Sequence, residues 1–367
     1  MVAHGYLVFL VRAGVSRHPE QLYRLSEIGQ SGDDLLQLLH HHVGGLAHGY
    51  HHVERKAEGF RIKENALRGR THWLKINRGP SGSPGETYDL DTDTSMETTE
   101  RQALLSGLRA MFVVPLDSYY GLLFVERVGR RNLRDLLMDI AVRPSGSSAA
   151  TVLRIEAFAE IQDWERELAQ MQVLRISEIL TKRDSGDDAS TVEDTIIKVS
   201  AEGGTLRQIS DGLKALFSGR IHRRDERLDT MQRTSELGER RRQAKADGVT
   251  FQDEAEFQET LHKLQELNVA EDRDDSLFEV VDQVLAIDRE QLDHQRFEVA
   301  LGAELPQRTI VIEGDSIPQF VYELGGRLTD GALRNTWVDH AESILSARGV
   351  DLPARWADNR PRGARRR

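Results

Sequence analysis

The stretch AMFVVPLDSYYGLLFVERV, residues 110–128, holds two apolar runs, Ala110 to Leu116 and Tyr120 to Val128, joined by Asp117-Ser118-Tyr119. Polar turn residues between two β-prone runs predict an antiparallel hairpin, the shortest-looped candidate in the chain. Further strands are expected at Gly5 to Arg12, a compact apolar run, and at Thr71 to Ile76 and Thr151 to Phe158, which alternate. Between them lie helical patterns. Ser31-Gly32-Asp33-Asp34 offers capping chemistry to a helix through Leu35, Leu36, Leu38 and Leu39, which Gly44-Gly45 would end. Asn132 to Ala141 carries Leu133, Leu136, Leu137 and Ile140 at helical spacing, and Trp164 to Met171 has helical composition. The mixture predicts an α+β fold built on a mixed sheet.

Composition narrows the classes. The 367 residues allow two domains, and the longest apolar runs fall far short of the roughly 20 residues needed to cross a bilayer. The first run reads as a strand and not as a signal peptide, because it has no extended apolar region before a small-residue cleavage site. Zero cysteines exclude a disulfide framework, a thiolate metal site and a cysteine nucleophile. These features fit a soluble cytoplasmic protein. The expected parts are an N-terminal α/β part at 1–148, a strand-helix segment with a basic stretch at 149–250, and an acidic helical region with a closing strand and helices at 251–352. A basic tail at 353–367 follows, and Pro144-Ser145-Gly146-Ser147-Ser148 marks the first junction.

Charge is distributed unevenly. The chain carries a formal net charge of -11, yet Arg220 to Lys245 holds nine basic against five acidic residues. It follows a β-branched run, Thr195 to Val199, and a helical pattern from Gly203-Gly204 through Phe217. A second basic stretch, Arg55 to Arg78, is joined by Arg130, Arg131 and Arg134 at the start of a helix. In contrast, Asp253 to Glu304 holds sixteen acidic residues against four basic ones, with leucines and valines at roughly helical spacing. Phe320 to Arg348 also reads as helical. Basic stretches against an acidic background predict a polyanion surface, and few aromatics among the arginines favour duplex backbone contact over base stacking.

Catalytic signatures are weak. His48, His51 and His52 stand at helical i, i+3, i+4 spacing beside His40-His41-His42, but nearby glycines disfavour a rigid helical metal site. Asp89, Asp91, Asp93 and Glu100 match calcium-loop positions, although Thr94 stands where the turn wants glycine. Glu54-Arg55-Lys56 is an ExK triplet that could join Asp33 or Asp34 around a metal as in a nuclease, but such triplets arise easily by chance in a charged chain. None of these outweighs solvated side chains, so the reading is of a non-enzymatic protein with no metal and no cofactor. The rivals are a metal-dependent nuclease of a phage-defence system and a protein-interaction module using the acidic helices.

The order of elements resembles that of the RexA-like phage-exclusion proteins of lambda-like prophages and actinobacteriophages. The residues that carry the resemblance are Gly5 to Arg12, Met111 to Pro115, Gly121 to Glu126, Asn132 to Leu137 and Glu193 to Lys198, the last before a helix with Arg207. The resemblance implies a globular domain with a smaller dimerisation domain, and a homodimer that binds double-stranded DNA without sequence specificity in phage exclusion, or abortive infection. It also implies a RexB-like membrane protein as a partner. A looser similarity to the ring-forming recombination-associated protein RdgC would have DNA encircled or clamped. By position the resemblance transfers Lys198 and Arg207. Electrostatics adds Arg220, Arg223, Arg224, Arg227, Arg240, Arg241 and Arg242 as anion donors.

Overall fold

The computed structural model describes residues 4–15, 18–29, 32–47, 49–53, 58–80, 85–89, 94–98, 105–129, 131–141, 151–160, 163, 172–181, 194–197, 204–271, 293–302, 308–313, 320–350, 352–353 and 355–357. The chain divides into two compact units. Met1–Glu156 and Val321–Arg367 form one, and Ala157–Phe320 forms the other. The C-terminal segment thus returns to the first unit, where the sequence had placed it up to residue 352 with the acidic region. No described helix is long and apolar enough to cross a membrane.

The first unit is built on a nine-stranded sheet. Its strands are β1 (His4–Val15), β2 (His18–Leu22), β3 (His51–Val53), β4 (Glu58–Arg68), β5 (Thr71–Pro80), β8 (Ser106–Val113), β9 (Tyr120–Val128), β10 (Thr151–Phe158) and β15 (Tyr322–Leu324). The order is β10-β1-β9-β8-β5-β4-β3, with β2 and β15 also paired to β1. The opening hairpin is present: β8 and β9 pair antiparallel, Val113 opposite Leu122 and Ala110 opposite Val125. Its turn holds Asp117 at φ 55, a left-handed conformation that a short polar side chain tolerates. β1 lies beside β9 in unbroken register from His4↔Val128 to Arg12↔Tyr120. A separate pair, β6 (Gly85–Asp89) and β7 (Thr94–Thr98), forms its own antiparallel hairpin.

Helices cover both faces of this sheet, which explains why β1 and β9 read as continuous apolar runs and not as alternation. On one face Leu7, Phe9 and Val11 join Leu74, Ile76, Ala110, Phe112, Leu123 and Val125. They pack under α1 (Leu35–Gly45), through Leu35, Leu36, Leu39 and Val43, and α2 (Arg134–Ala141), through Leu136, Leu137 and Ile140. Asp34 caps α1 by accepting from the Leu36 N–H at 2.8 Å. On the other face Tyr6, Trp73 and Phe124 meet Trp337 of the C-terminal helix, Asp330–Ala347, with ring centroids 5.6–6.1 Å apart.

The second unit combines the sheet β12-β11-β13-β14 with a helical pair. Its strands are β11 (Gln172–Thr181), β12 (Asp194–Ile197), β13 (Asp293–Gly302) and β14 (Arg308–Glu313). The helices are α3 (Gly204–Ala246) and α4 (Glu254–Glu271), so the C-terminal helix Asp330–Ala347 is α5. The helical pattern that the sequence carried to Phe217 continues through the arginines to Ala246, because charged residues at i, i+3 and i+4 sustain a helix as well as apolar ones do. The acidic stretch is only partly helical: Asp293–Gly302 is a strand, in which Phe297, Val299 and Leu301 alternate with Arg296, Glu298 and Ala300. Similarly, Phe320 to Arg348 is not one helix. Tyr322–Leu324 pairs with His4–Tyr6, Gly325-Gly326 follows, and the helix starts only after Thr329, whose hydroxyl caps the Ala332 N–H. The junction at Pro144 to Ser148 and the helix expected at Trp164 to Met171 lie outside the described residues. So does the end of the tail beyond Ala357.

Candidate nucleic-acid interface

α3 carries most of the expected anion donors, but it does not hold them alike. Lys198 lies outside the described residues, and Arg207 falls within α3 with only its backbone described. Arg220 and Arg224 are buried, at 5% and 7% exposure, and so do not face solvent where a phosphate would be. Arg224 donates to Asp225 Oδ1 at 2.9 Å and to the Ala159 carbonyl at 3.1 Å, and lies 4.7 Å over the Phe158 ring. Its charge therefore serves packing. Arg223 is exposed and Arg227 half-buried.

Farther along, the arginines of α3 meet the acids of α4 in antiparallel register. Lys263 Nζ lies 2.7 Å from Glu226, Arg233 Nε 2.9 Å from Glu256, Arg240 Nη1 3.5 Å from Asp253, and Arg241 Nε 2.9 Å from Glu254. Hydrogen bonding to Glu256 is the main cause holding the Arg233 pKa above its usual value, and bonding to Glu226 does the same for Lys263. The basic and acidic stretches that looked segregated along the chain thus partly neutralise one another side by side. Arg242 and Lys245, both exposed at the end of α3, have no acidic partner among the described residues.

In the first unit the basic stretch divides again. Arg70 pairs with Asp34 and donates to the Val114 carbonyl at 2.7 Å, while Arg78 donates to Glu58 and to the Asn132 carbonyl. Arg61, Lys63 and Arg68 are exposed along β4, with no acidic partner among the described residues. Phe60 and Ile62 point into the core under α1, so Arg61 faces the opposite side, and the register shift between Ile62 and Glu64 brings Lys63 out as the extra residue of a bulge. Arg55, Lys56 and Arg130 lie outside the described residues; Arg131 is exposed.

One charged group that the sequence reading passed over lies deep in the same face. Arg109 and Glu126, at 3% and 2% side-chain exposure, form an ion pair between neighbouring strands. Arg109 also donates to the Leu328 carbonyl at 2.8 Å and to Asp330 Oδ1 at 2.9 Å, and Lys75 reaches Asp330 Oδ2 at 2.9 Å. Burial alone would lower the pKa of Arg109, but the bonds and charges of Glu126 and Asp330 outweigh it and raise it. Burial likewise would raise that of Asp330, yet Lys75 and Arg109 bring it below its usual value. This network fastens the start of α5 to the sheet. Its signal in the sequence was a charged residue inside each of two apolar strands, which burial permits only when the charges pair.

The histidines do not form the helical set that their spacing alone would allow. His51 and His52 lie on strand β3, and His48 is outside the described residues. His51 bonds the Leu46 carbonyl at 2.7 Å and stacks on Phe60, and His40 Nδ1 lies 3.1 Å from Asn65 Oδ1. Among the described residues the cluster contributes to no three-ligand group at metal-binding distance. The calcium-loop match fails as well, since its first aspartate ends strand β6 and β7 follows in antiparallel pairing, where an EF-hand requires helices. Glu54-Arg55-Lys56 lies outside the described residues. No protein-family model matches the chain, and no curated protein and no solved structure shows significant similarity to it.

Proposed function

We propose that this protein binds double-stranded DNA without sequence specificity, by phosphate-backbone contacts, and acts in phage exclusion as a homodimer. The observation that supports binding is the row of Arg61, Lys63 and Arg68 along β4, exposed and without acidic partners among the described residues. At strand rise the row spans about 20 Å, enough to follow several phosphates spaced 3.4 Å along the duplex axis. Arg242 and Lys245 supply exposed charge on α3. The exclusion role, the homodimer and a RexB-like membrane partner enter through the resemblance of the sequence alone.

The mechanism is release of condensed counterions as the cations replace them, which makes affinity fall steeply with salt. Fluorescence anisotropy of a labelled duplex of arbitrary sequence, titrated across a salt series, tests it. The triple substitution Arg61→Glu, Lys63→Glu, Arg68→Glu should weaken binding equally for unrelated sequences. It should also reduce the log–log salt slope by about 2.7, at roughly 0.9 per lost contact. Absence of binding at low salt, or a loss confined to one sequence, would refute the reading. Plasmid incubated with magnesium stays intact if the protein binds without cutting.

A further inference from the structure

A cavity of about 310 Å³ opens on the face of the first unit's sheet that α1 and α2 cover. Phe60, Leu136 and Ile140, all buried, and the half-buried Leu46 give it an apolar lining, while His42, His52 and Asp139 supply its polar groups. His52 and Asp139 are exposed at the opening. Among the described residues, neither lysine nor arginine lines it. It matches the usual plan of a small-molecule site, an apolar body with a few placed polar groups, at the small end of the size range.

The electrostatics choose the sign of the ligand. His42 and Leu46 belong to the last turn and C-cap of α1, and Asp139 and Ile140 to the last turn of α2. Two helix C-termini, each carrying partial negative charge on its final carbonyls, thus converge on one opening that also holds a carboxylate. An anionic ligand would meet like charge from three sources. A primary ammonium, with three donors and a single positive charge, matches all of them.

We propose that this cavity binds a small organic ammonium compound, its apolar or aromatic body on Phe60, Leu136 and Ile140 and its ammonium group at Asp139, between the C-terminal ends of the two helices. The site goes beyond duplex binding and does not depend on it.

Phenethylammonium is a suitable probe, with phenylacetate as the isostere of opposite charge, followed by ligand-observed NMR on the full chain. Phenethylammonium should saturate at or below about 10 mM, the range expected for a ligand of so few atoms. Phenylacetate should bind at least tenfold more weakly. Asp139→Asn, an exposed substitution that should leave folding intact, should weaken the ammonium probe about tenfold and leave phenylacetate unchanged or improved. Leu46→Trp should fill the cavity and abolish saturation, with circular dichroism confirming the fold. Equal binding of the two probes, indifference to Asp139→Asn, or no saturation by phenethylammonium would each overturn the proposal.

Discussion

Acidification should destabilise the first unit through one side chain, His72 on β5. Its ring is fully buried, stacked near Phe112 and edge-on to His40. Nε2 lies 2.5 Å from Asn65 Oδ1, while Asn65 Nδ2 donates to the His40 carbonyl at 3.0 Å. An amide oxygen only accepts, so the single proton of His72 is on Nε2, and Nδ1 is left buried without a partner. A second proton would place an unpaired charge in the core. Burial first, and the charge of His40 second, lower its pKa to about 3. In the unfolded chain a histidine titrates near 6.5.

Between those two values the unfolded chain binds the proton and the folded one does not, so stability rises with pH. The contribution is full above about 6.5 and declines by roughly 1.4 kcal/mol per pH unit towards about 3. From pH 7 to pH 5 the loss is about 2 kcal/mol, before most carboxylates titrate. The control is His72→Phe, which keeps an aromatic ring against Phe112 and leaves the His40–Asn65 bonds in place. Urea unfolding followed by the fluorescence of the buried Trp73 and Trp337 should show the wild type losing about 2 kcal/mol more than the variant over that interval. Parallel losses in the two proteins would refute the assignment of a neutral, unpartnered His72.

Removing one partner of the buried Arg109–Glu126 pair, as in Arg109→Met, should cost about 3–5 kcal/mol, because Glu126 is left charged in the core. The double variant with Glu126→Leu should recover part of that loss, and simple additivity in urea unfolding would contradict the pairing. Gly69 turns β4 into β5 at φ +54, and an added Cβ would lie 2.2 Å from the Trp356 carbonyl oxygen, which also accepts the Arg70 N–H at 2.7 Å. Gly69→Ala should cost at least about 1–2 kcal/mol. Gly69→Asn, which tolerates the φ angle, should be no better, because the carbonyl is the obstacle; a wild-type melting temperature for the asparagine variant would show otherwise.

The fold was legible where a local pattern decided it. The polar turn at Asp117-Ser118 between apolar runs, the Asp34 cap and the two glycines that close α1 are contained within a few residues of sequence, and each marks an element that the structure has. Topology was less accessible. Tyr322–Leu324 pairs with His4–Tyr6 across almost the whole chain, and nothing near either segment states that it needs the other. Continuous apolarity in β1 and β9 goes with burial on both faces, and the cover of the second face is α5, from the far end of the sequence.

The arginines show why counting charge along the chain separates what folding brings together. Arg233, Arg240 and Arg241 lie in a basic stretch, and Glu256, Asp253 and Glu254 in an acidic one, yet the turn between α3 and α4 folds one stretch back on the other. Read as an antiparallel helical hairpin, with the turn near Gly248, the same residues would have announced their partners. Each exposed pair stabilises the hairpin by no more than about 1 kcal/mol, so these pairs set register more than stability. The charge that remains available to a polyanion is then the small part that neither burial nor α4 uses. On β4, Arg61, Lys63 and Arg68 are exposed and form no ion pair among the described residues, while Glu58 and Glu64 of the same strand pair with Arg78 and Arg334.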